Sequence, residues 1–212
     1  MTSRSRIPLV LAIVLAVVAI VAVAAVVLSG GGDDDDTSST VPDATGGEVA
    51  VEVTGSALAP LEDPSADPAV GAAAPGLSGA DYAGNAVTIE PGTGGPMLVV
   101  VLAHWCPHCN NEIPVLQQWE EQGGIPENLQ VVGVSTAVSP DRPNYPPGEW
   151  LAEKGWAWPV LADDEQLTAA NAYGVTAFPF LTFIDADGNV TARAFGELPI
   201  ETLQQLADAT VA

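Results

Sequence analysis

Hydrophobic and polar positions divide the chain into three stretches. Residues 8–28 carry no charge and are nearly all Val, Ala, Leu and Ile. A helix of this length spans about 30 Å, the thickness of a bilayer's hydrocarbon layer. Residues 29–47 hold runs of Gly, Asp, Ser and Thr and almost nothing that could be buried. They predict a flexible linker with an r.m.s. reach of about 25 Å. From residue 48 onward, apolar residues recur with the periods of strands and helices, which predicts one folded domain over 48–212.

Within that domain the period switches repeatedly. Val49, Val51 and Val53 alternate with Ala50, Glu52 and Thr54, as in a half-buried strand. Residues 55–79, rich in Pro, Ala and Gly, predict an ordered coil along the domain edge, and 86–89 a short strand entered through a Gly84-Asn85 turn. Residues 97–103 form a continuous apolar run, which fits a strand buried on both faces. Helical spacing continues through Ile113, Leu116, Gln117 and Glu120. Pro107 suits the first helical position, Pro114 should kink the helix, and Gly123-Gly124 should stop it. Residues 129–135 predict a second buried strand, 139–148 a proline-rich loop, 149–153 a short helix and 158–161 a short strand. Asp163 or Asp164 is placed to cap a helix running to Tyr173 and stopping at Gly174. Residues 180–185 and 190–195 predict a hairpin about Ala186-Asp187-Gly188-Asn189. Pro199 opens a last helix with Ile200, Leu203 and Leu206 inward. After residue 96 the order is β-α-β-α-β-α-β-β-α. It predicts an α/β three-layer sandwich, with a central mixed sheet closed by the antiparallel hairpin and final helix.

Charge adds an orientation. Arg4 and Arg6 precede the apolar run and Asp33 to Asp36 come after it. The positive-inside rule then places residues 1–28 as a cytoplasmic tip and single-pass anchor, with everything later outside the cytoplasm. Ala22-Val23-Ala24 keeps a cleaved signal peptide open as the alternative, although so long an apolar core favours an anchor. After residue 32, three basic side chains face 27 acidic ones, a net of −24 within a total of −22. Such a surface repels phosphate backbones and argues against nucleic-acid partners, while keeping the domain soluble.

Candidate chemistry centres on the two cysteines, Cys106 and Cys109. Their C-x-x-C spacing, between a buried strand and a helix start, is the arrangement of a dithiol redox centre. A zinc site normally needs four ligands. Cys106, Cys109, His104 and His108 all lie within six consecutive residues and could not readily surround one ion. No metal or organic cofactor is expected; the working group is a Cys106–Cys109 disulfide. Cys106 should face the free N–H groups and positive dipole end of the helix, which favours a thiolate below the free cysteine value of about 8.5. His108, if charged, adds to this. Cys106 is therefore the expected attacking sulfur, and Cys109, inside the first turn, the resolving one. Glu112 lies one turn past Cys109. It is either a proton carrier for that thiol or an ordinary acid favoured by the helix dipole. Phe178-Pro179, just before a strand, is a candidate cis peptide, with trans the default on sequence alone. Trp105 would shield the thiols and offer apolar contact.

The run Trp105-Cys106-Pro107-His108-Cys109-Asn110-Asn111-Glu112-Ile113-Pro114 resembles the W-C-x-x-C-x-x-E-x-P signature of the TlpA/ResA-like branch of the thioredoxin superfamily. The resemblance spans 69–212 and includes Gly71 to Pro75, Ala172-Tyr173-Gly174-Val175, Phe178-Pro179 and Asp185-Ala186-Asp187-Gly188. It implies a thioredoxin-like fold. It also implies that Pro179 is the family's cis-proline, packed on the disulfide and holding substrate backbone. Phe178 then tunes potential and specificity, and Glu112 is the branch's active-site acid. Members are typically membrane-anchored and reduce protein disulfides outside the cytoplasm, often in cytochrome c maturation. Electrons would come from a redox partner in the membrane. Pro107-His108 departs from this pattern and resembles the DsbA-type oxidase, whose histidine stabilises the reduced thiolate. Thioredoxin's buried acid is also replaced, by Val100. The branch implies reduction and the dipeptide implies oxidation, so the direction stays open.

Three other classes compete with this reading. A peroxiredoxin's P-x-x-x-T-x-x-C would need proline and threonine where the chain has Val99 and Ala103. A copper- or haem-handling carrier could use His104, Cys106, His108 and Cys109, which are soft enough for Cu(I). A pure interaction module would keep its function after Cys106→Ser. The apolar rim expected around Trp105 and Phe178 favours extended, unfolded or cytochrome-like polypeptides as clients.

Overall fold

The computed structural model describes residues 50–212. The anchor expected over 1–28 and the linker over 29–47 lie outside the described residues. Among the described residues no helix is long and apolar enough to cross a membrane.

Two sheets are present. Three short strands, β1 (Glu52–Thr54), β2 (Gly76–Ala80) and β3 (Ala86–Ile89), pair antiparallel in the order β1-β2-β3. The main sheet is built from β4 (Met97–Leu102), β5 (Gln130–Ser135), β6 (Val160–Ala162), β7 (Phe180–Ile184) and β8 (Val190–Phe195), in the order β6-β5-β4-β7-β8. β4, β5 and β6 run parallel, and β7 and β8 are antiparallel to their neighbours. The helices are α1 (Pro107–Glu121), α2 (Pro147–Glu153), α3 (Thr168–Ala172) and α4 (Ile200–Val211). This is the expected element order after residue 96, and the fold is a thioredoxin-like α/β fold with a mixed sheet.

β4 shows why its sequence is continuously apolar. Side chains alternate across a strand, and both faces of this one are covered. Met97, Val99 and Val101 enter a core with Ile89, Leu161 and Tyr173. Leu98, Val100 and Leu102 enter a second core with Ile113, Leu116 and Trp119 of α1 and Leu203 of α4. Every residue of β4 is buried, so its C-terminal end is a rigid platform for the turn that carries the cysteines.

Local expectations shift in four places. Residues 76–79, expected as coil, fall within β2, where a Cβ on Gly76 would come within 2.5 Å of the Thr54 hydroxyl. Glycine there serves close strand approach rather than a turn. Val53, expected on the inner face with Val51, is exposed, while Val51 is buried. The inward face of α1 is completed by Trp119 instead of Glu120, which is exposed. The Trp119 indole donates to Gln204 Oε1 at 2.8 Å, which lets a polar-tipped ring lie fully buried. Finally, α3 begins only at Thr168, after Leu167 in the left-handed region at φ 58°. Asp163 and Asp164 still cap it: their carboxylates accept from the N–H groups of Ala169 and Ala170 (Asp163, 2.8 and 3.1 Å) and Thr168 (Asp164, 2.9 Å).

Candidate active site

The site forms where β4 gives way to α1. Cys106 is the N-cap of α1, with extended backbone (φ −78°, ψ 119°), and Pro107 takes the first helical position as expected. The helix continues through Pro114, which is exposed. Cys109 falls on the first turn, pointing back toward the end of β4. Its Sγ accepts from the Ala103 N–H at 3.5 Å.

The two sulfurs lie in different surroundings. Cys106 retains 6 % exposure and Cys109 none, so only Cys106 can be reached from outside. Burial pushes the Cys109 thiol far above the ordinary cysteine value, with Cys106 and Glu112 adding to the rise. The Cys106 Sγ–H donates to the carbonyl of Phe178 at 3.6 Å. The Phe178-Pro179 peptide is cis, and the Phe178 ring meets Trp105 edge-to-face with centroids 6.0 Å apart. Although 72 residues separate Cys106 from Phe178, the pairing of β7 with β4 delivers the loop before β7 to the start of α1.

Glu112 is fully buried on α1 beneath this turn. Its Oε2 accepts from the Leu198 N–H at 3.0 Å, while its Oε1 has no hydrogen-bond partner among the described residues. Burial pushes its carboxyl up to about 7, the Leu198 bond opposing the rise and Glu197 adding to it. A buried acid with one free oxygen near neutrality can exchange a proton with a neighbouring thiol.

His108 points the other way, onto the surface. Its Nδ1 lies 2.7 Å from Glu197 Oε1, and the Asn111 amide donates to the same oxygen at 3.0 Å. These hydrogen bonds hold the Glu197 carboxyl below its ordinary value. No local pattern marks Glu197, because it comes from the connection after β8, 89 residues from His108.

Residues 136–146, most of them in the expected proline-rich loop, are bonded closely to the site. His104 is fully buried and bonded at both ring nitrogens: Nδ1–H donates to the Pro143 carbonyl (2.7 Å) and Nε2 accepts from the Ser139 N–H (3.1 Å). Asn144 donates to the His104 carbonyl at 2.7 Å, and the Trp105 indole donates to Ala137 O at 2.8 Å. The Arg142 guanidinium lies over the Trp105 ring, 5.0 Å from its centroid. Asn110 completes the stitching: its amide donates to Cys106 O (2.9 Å) and its oxygen accepts from the Trp150 indole (3.0 Å). With both His104 nitrogens engaged by this loop, that side chain is not free to ligate a metal. Among the described residues no three His, Cys, Asp or Glu side chains converge on a metal position.

A thioredoxin-like sheet presenting Cys-x-x-Cys at a helix start, one sulfur reachable and the other buried, defines a thiol–disulfide oxidoreductase. Comparison with known proteins agrees with this class. The sequence model of the AhpC/TSA family matches residues 70–193. The chain belongs to this family, within the thioredoxin superfamily. No curated protein sequence matches it. Among solved structures, a thiol:disulfide interchange protein of the thioredoxin family from Chlorobium tepidum TLS is 26% identical, covering 69% of this chain and 100% of its own, with TM-score 0.55. StoA from Bacillus subtilis is 18% identical over 66% of this chain and 98% of its own, with TM-score 0.52. The dsbF protein of MTB is 24% identical over 63% and 94%, with TM-score 0.53. The latter two, at their identities, speak to the fold alone.

Proposed function

We propose that the protein exchanges thiols and disulfides on polypeptide clients outside the cytoplasm, tethered to the membrane by residues 8–28. The observation that carries this reading is the unequal burial of Cys106 and Cys109 at the start of α1, with the Phe178 carbonyl against the reachable sulfur. The name of the Chlorobium relative, a thiol:disulfide interchange protein, supports it.

In the reducing direction, the Cys106 thiolate attacks one sulfur of a client disulfide. A Cys106–client mixed disulfide forms and the client's other sulfur leaves as a thiolate. Cys109 then gives up its proton, for which Glu112, buried one turn further along α1, is the proposed acceptor, and attacks the Cys106 sulfur. The Cys106–Cys109 disulfide forms and the client leaves as a dithiol. The oxidising direction reverses each step. Burial keeps Cys109 protonated until the mixed disulfide is in place, so it does not compete with Cys106 for the client. The Phe178-Pro179 loop offers backbone to an extended client segment, and Trp105 and Phe178 provide apolar contact.

Cys109→Ala tests the assignment. With no resolving sulfur, this variant should accumulate protein-sized mixed disulfides on Cys106 in intact cells. Recovery of small thiols alone, or of clients bound in equal amount to Cys106→Ala, would contradict it.

A further inference from the structure

The Pro107-His108 dipeptide places an imidazole two residues from the attacking sulfur, and the structure does not leave that imidazole without a partner. His108 and Cys106 share the first turn of α1, and the side chain of His108 is turned onto Glu197. We propose that Glu197 is a charge-compensating residue: its carboxylate, fixed on His108 and Asn111, cancels the imidazolium's pull on the Cys106 thiolate and keeps the dithiol couple more reducing than its Pro-His dipeptide alone would make it. This rests on the exchange reading above and supplies it with a direction-setting element.

The physical basis is electrostatic. A cation near a thiolate stabilises it, and a couple whose reduced form is stabilised is a stronger oxidant. An anion bound to a histidine cation makes the pair neutral, so a thiolate at the same helix start feels a dipole in place of a charge. The pair is well defined for a surface site: Glu197 Oε1 receives two side chains from α1, at 2.7 and 3.0 Å. The next residue, Leu198, is tied to the same helix through Glu112. The connection from β8 to α4 is thus pinned across the first turns of α1 at two consecutive residues. The charged and titratable groups around His108 are Glu197 across from it and Cys106, Cys109 and Glu112 on its own helix. Glu112 is buried and bonded to Leu198, which leaves Glu197 as the anion in contact with His108. Both side chains are partly solvated, at 67% and 40% exposure, so the effect is moderate and sensitive to salt.

The test uses the full chain, reduced, at low ionic strength and about pH 5.5, where an unpartnered histidine is mostly cationic. The rate at which neutral iodoacetamide alkylates Cys106 reads the thiolate fraction. Glu197→Gln keeps the acceptor oxygen for Asn111 and removes only the charge. It should speed alkylation about 3- to 10-fold. His108→Phe should slow it, the double variant should return close to wild type, and Glu197→Asp should stay close to wild type. Added salt should shrink the differences. Equal or slower alkylation in Glu197→Gln, with the Cys106–Cys109 disulfide still forming, would overturn the role of Glu197 and leave the exchange reading standing. Failure of every variant and of wild type to form that disulfide would instead remove the exchange reading.

Discussion

Cys106 and Cys109 are three positions apart, yet one is the N-cap of a helix and the other lies beneath its first turn. That difference in depth supports the parts proposed for them: a sulfur with some exposure can be attacked and can attack, and a fully buried one can act only on its neighbour. Glu112 is the third member, and its burial has a consequence for stability. Its carboxyl is raised from 4.5 to about 7 by burial. An acid whose folded value exceeds its unfolded one binds its proton more tightly when folded. Its contribution is therefore fully present below about 4.5 and is lost as pH rises to about 7 and beyond. The loss is at most about 3 kcal/mol. Glu112→Gln should flatten this part of the profile, making the variant more stable than wild type at pH 8 by about 1–3 kcal/mol while slowing disulfide closure. Denaturant unfolding at pH 5 and pH 8 checks it. An equal fall in stability for both proteins over that interval would contradict the buried, proton-exchanging role.

At the scale of elements, the site is a meeting of four connections: the start of α1, the loop before β7, the turn between β8 and α4, and residues 136–146. The first was readable because Trp105, the two cysteines and Pro107 are local and sit between a strand pattern and a helix pattern. The second was readable from Phe178-Pro179, a proline just before a strand, and the resemblance added its role. The other two were not, for a physical reason: Glu197 and the partners of His104 matter through pairings across 89, 39 and 35 residues, which no local period encodes. His104 is by residue type a candidate metal ligand. The structure uses it as a strut, with both nitrogens bonded to the loop it supports. Replacing it by Phe keeps a planar ring and strands the Pro143 carbonyl and the Ser139 N–H, at a cost of about 1–2 kcal/mol. Amide exchange across 137–146 should speed up well beyond the rest of the domain. Unchanged protection in that loop would show that the strut is dispensable.

For the whole molecule, the hydrophobic pattern was a sound guide to the main sheet because β4, β5 and β7 are buried along almost their whole length. It was weaker at the edge, where β2 is written with two glycines in five residues and β1 is short and exposed. The segment that precedes β2 is held to the main sheet by a buried ion pair. The Arg193 guanidinium binds the Asp67 carboxylate and also donates to the carbonyls of Ala59 and Tyr173 at 2.9 Å each. Arg193 on β8 thereby ties the coil before β2 to the sheet that carries the site, a role its charge alone did not disclose.

The most direct test is to equilibrate the full chain with glutathione buffers and monitor its thiols. The expected result is one intramolecular Cys106–Cys109 disulfide in reversible equilibrium, with a potential below the about −120 mV of the strongest dithiol oxidants and toward the about −270 mV of thioredoxin. A potential at about −120 mV would contradict the compensation of His108 by Glu197. Two thiols that never pair with each other across the whole buffer range would contradict the central claim.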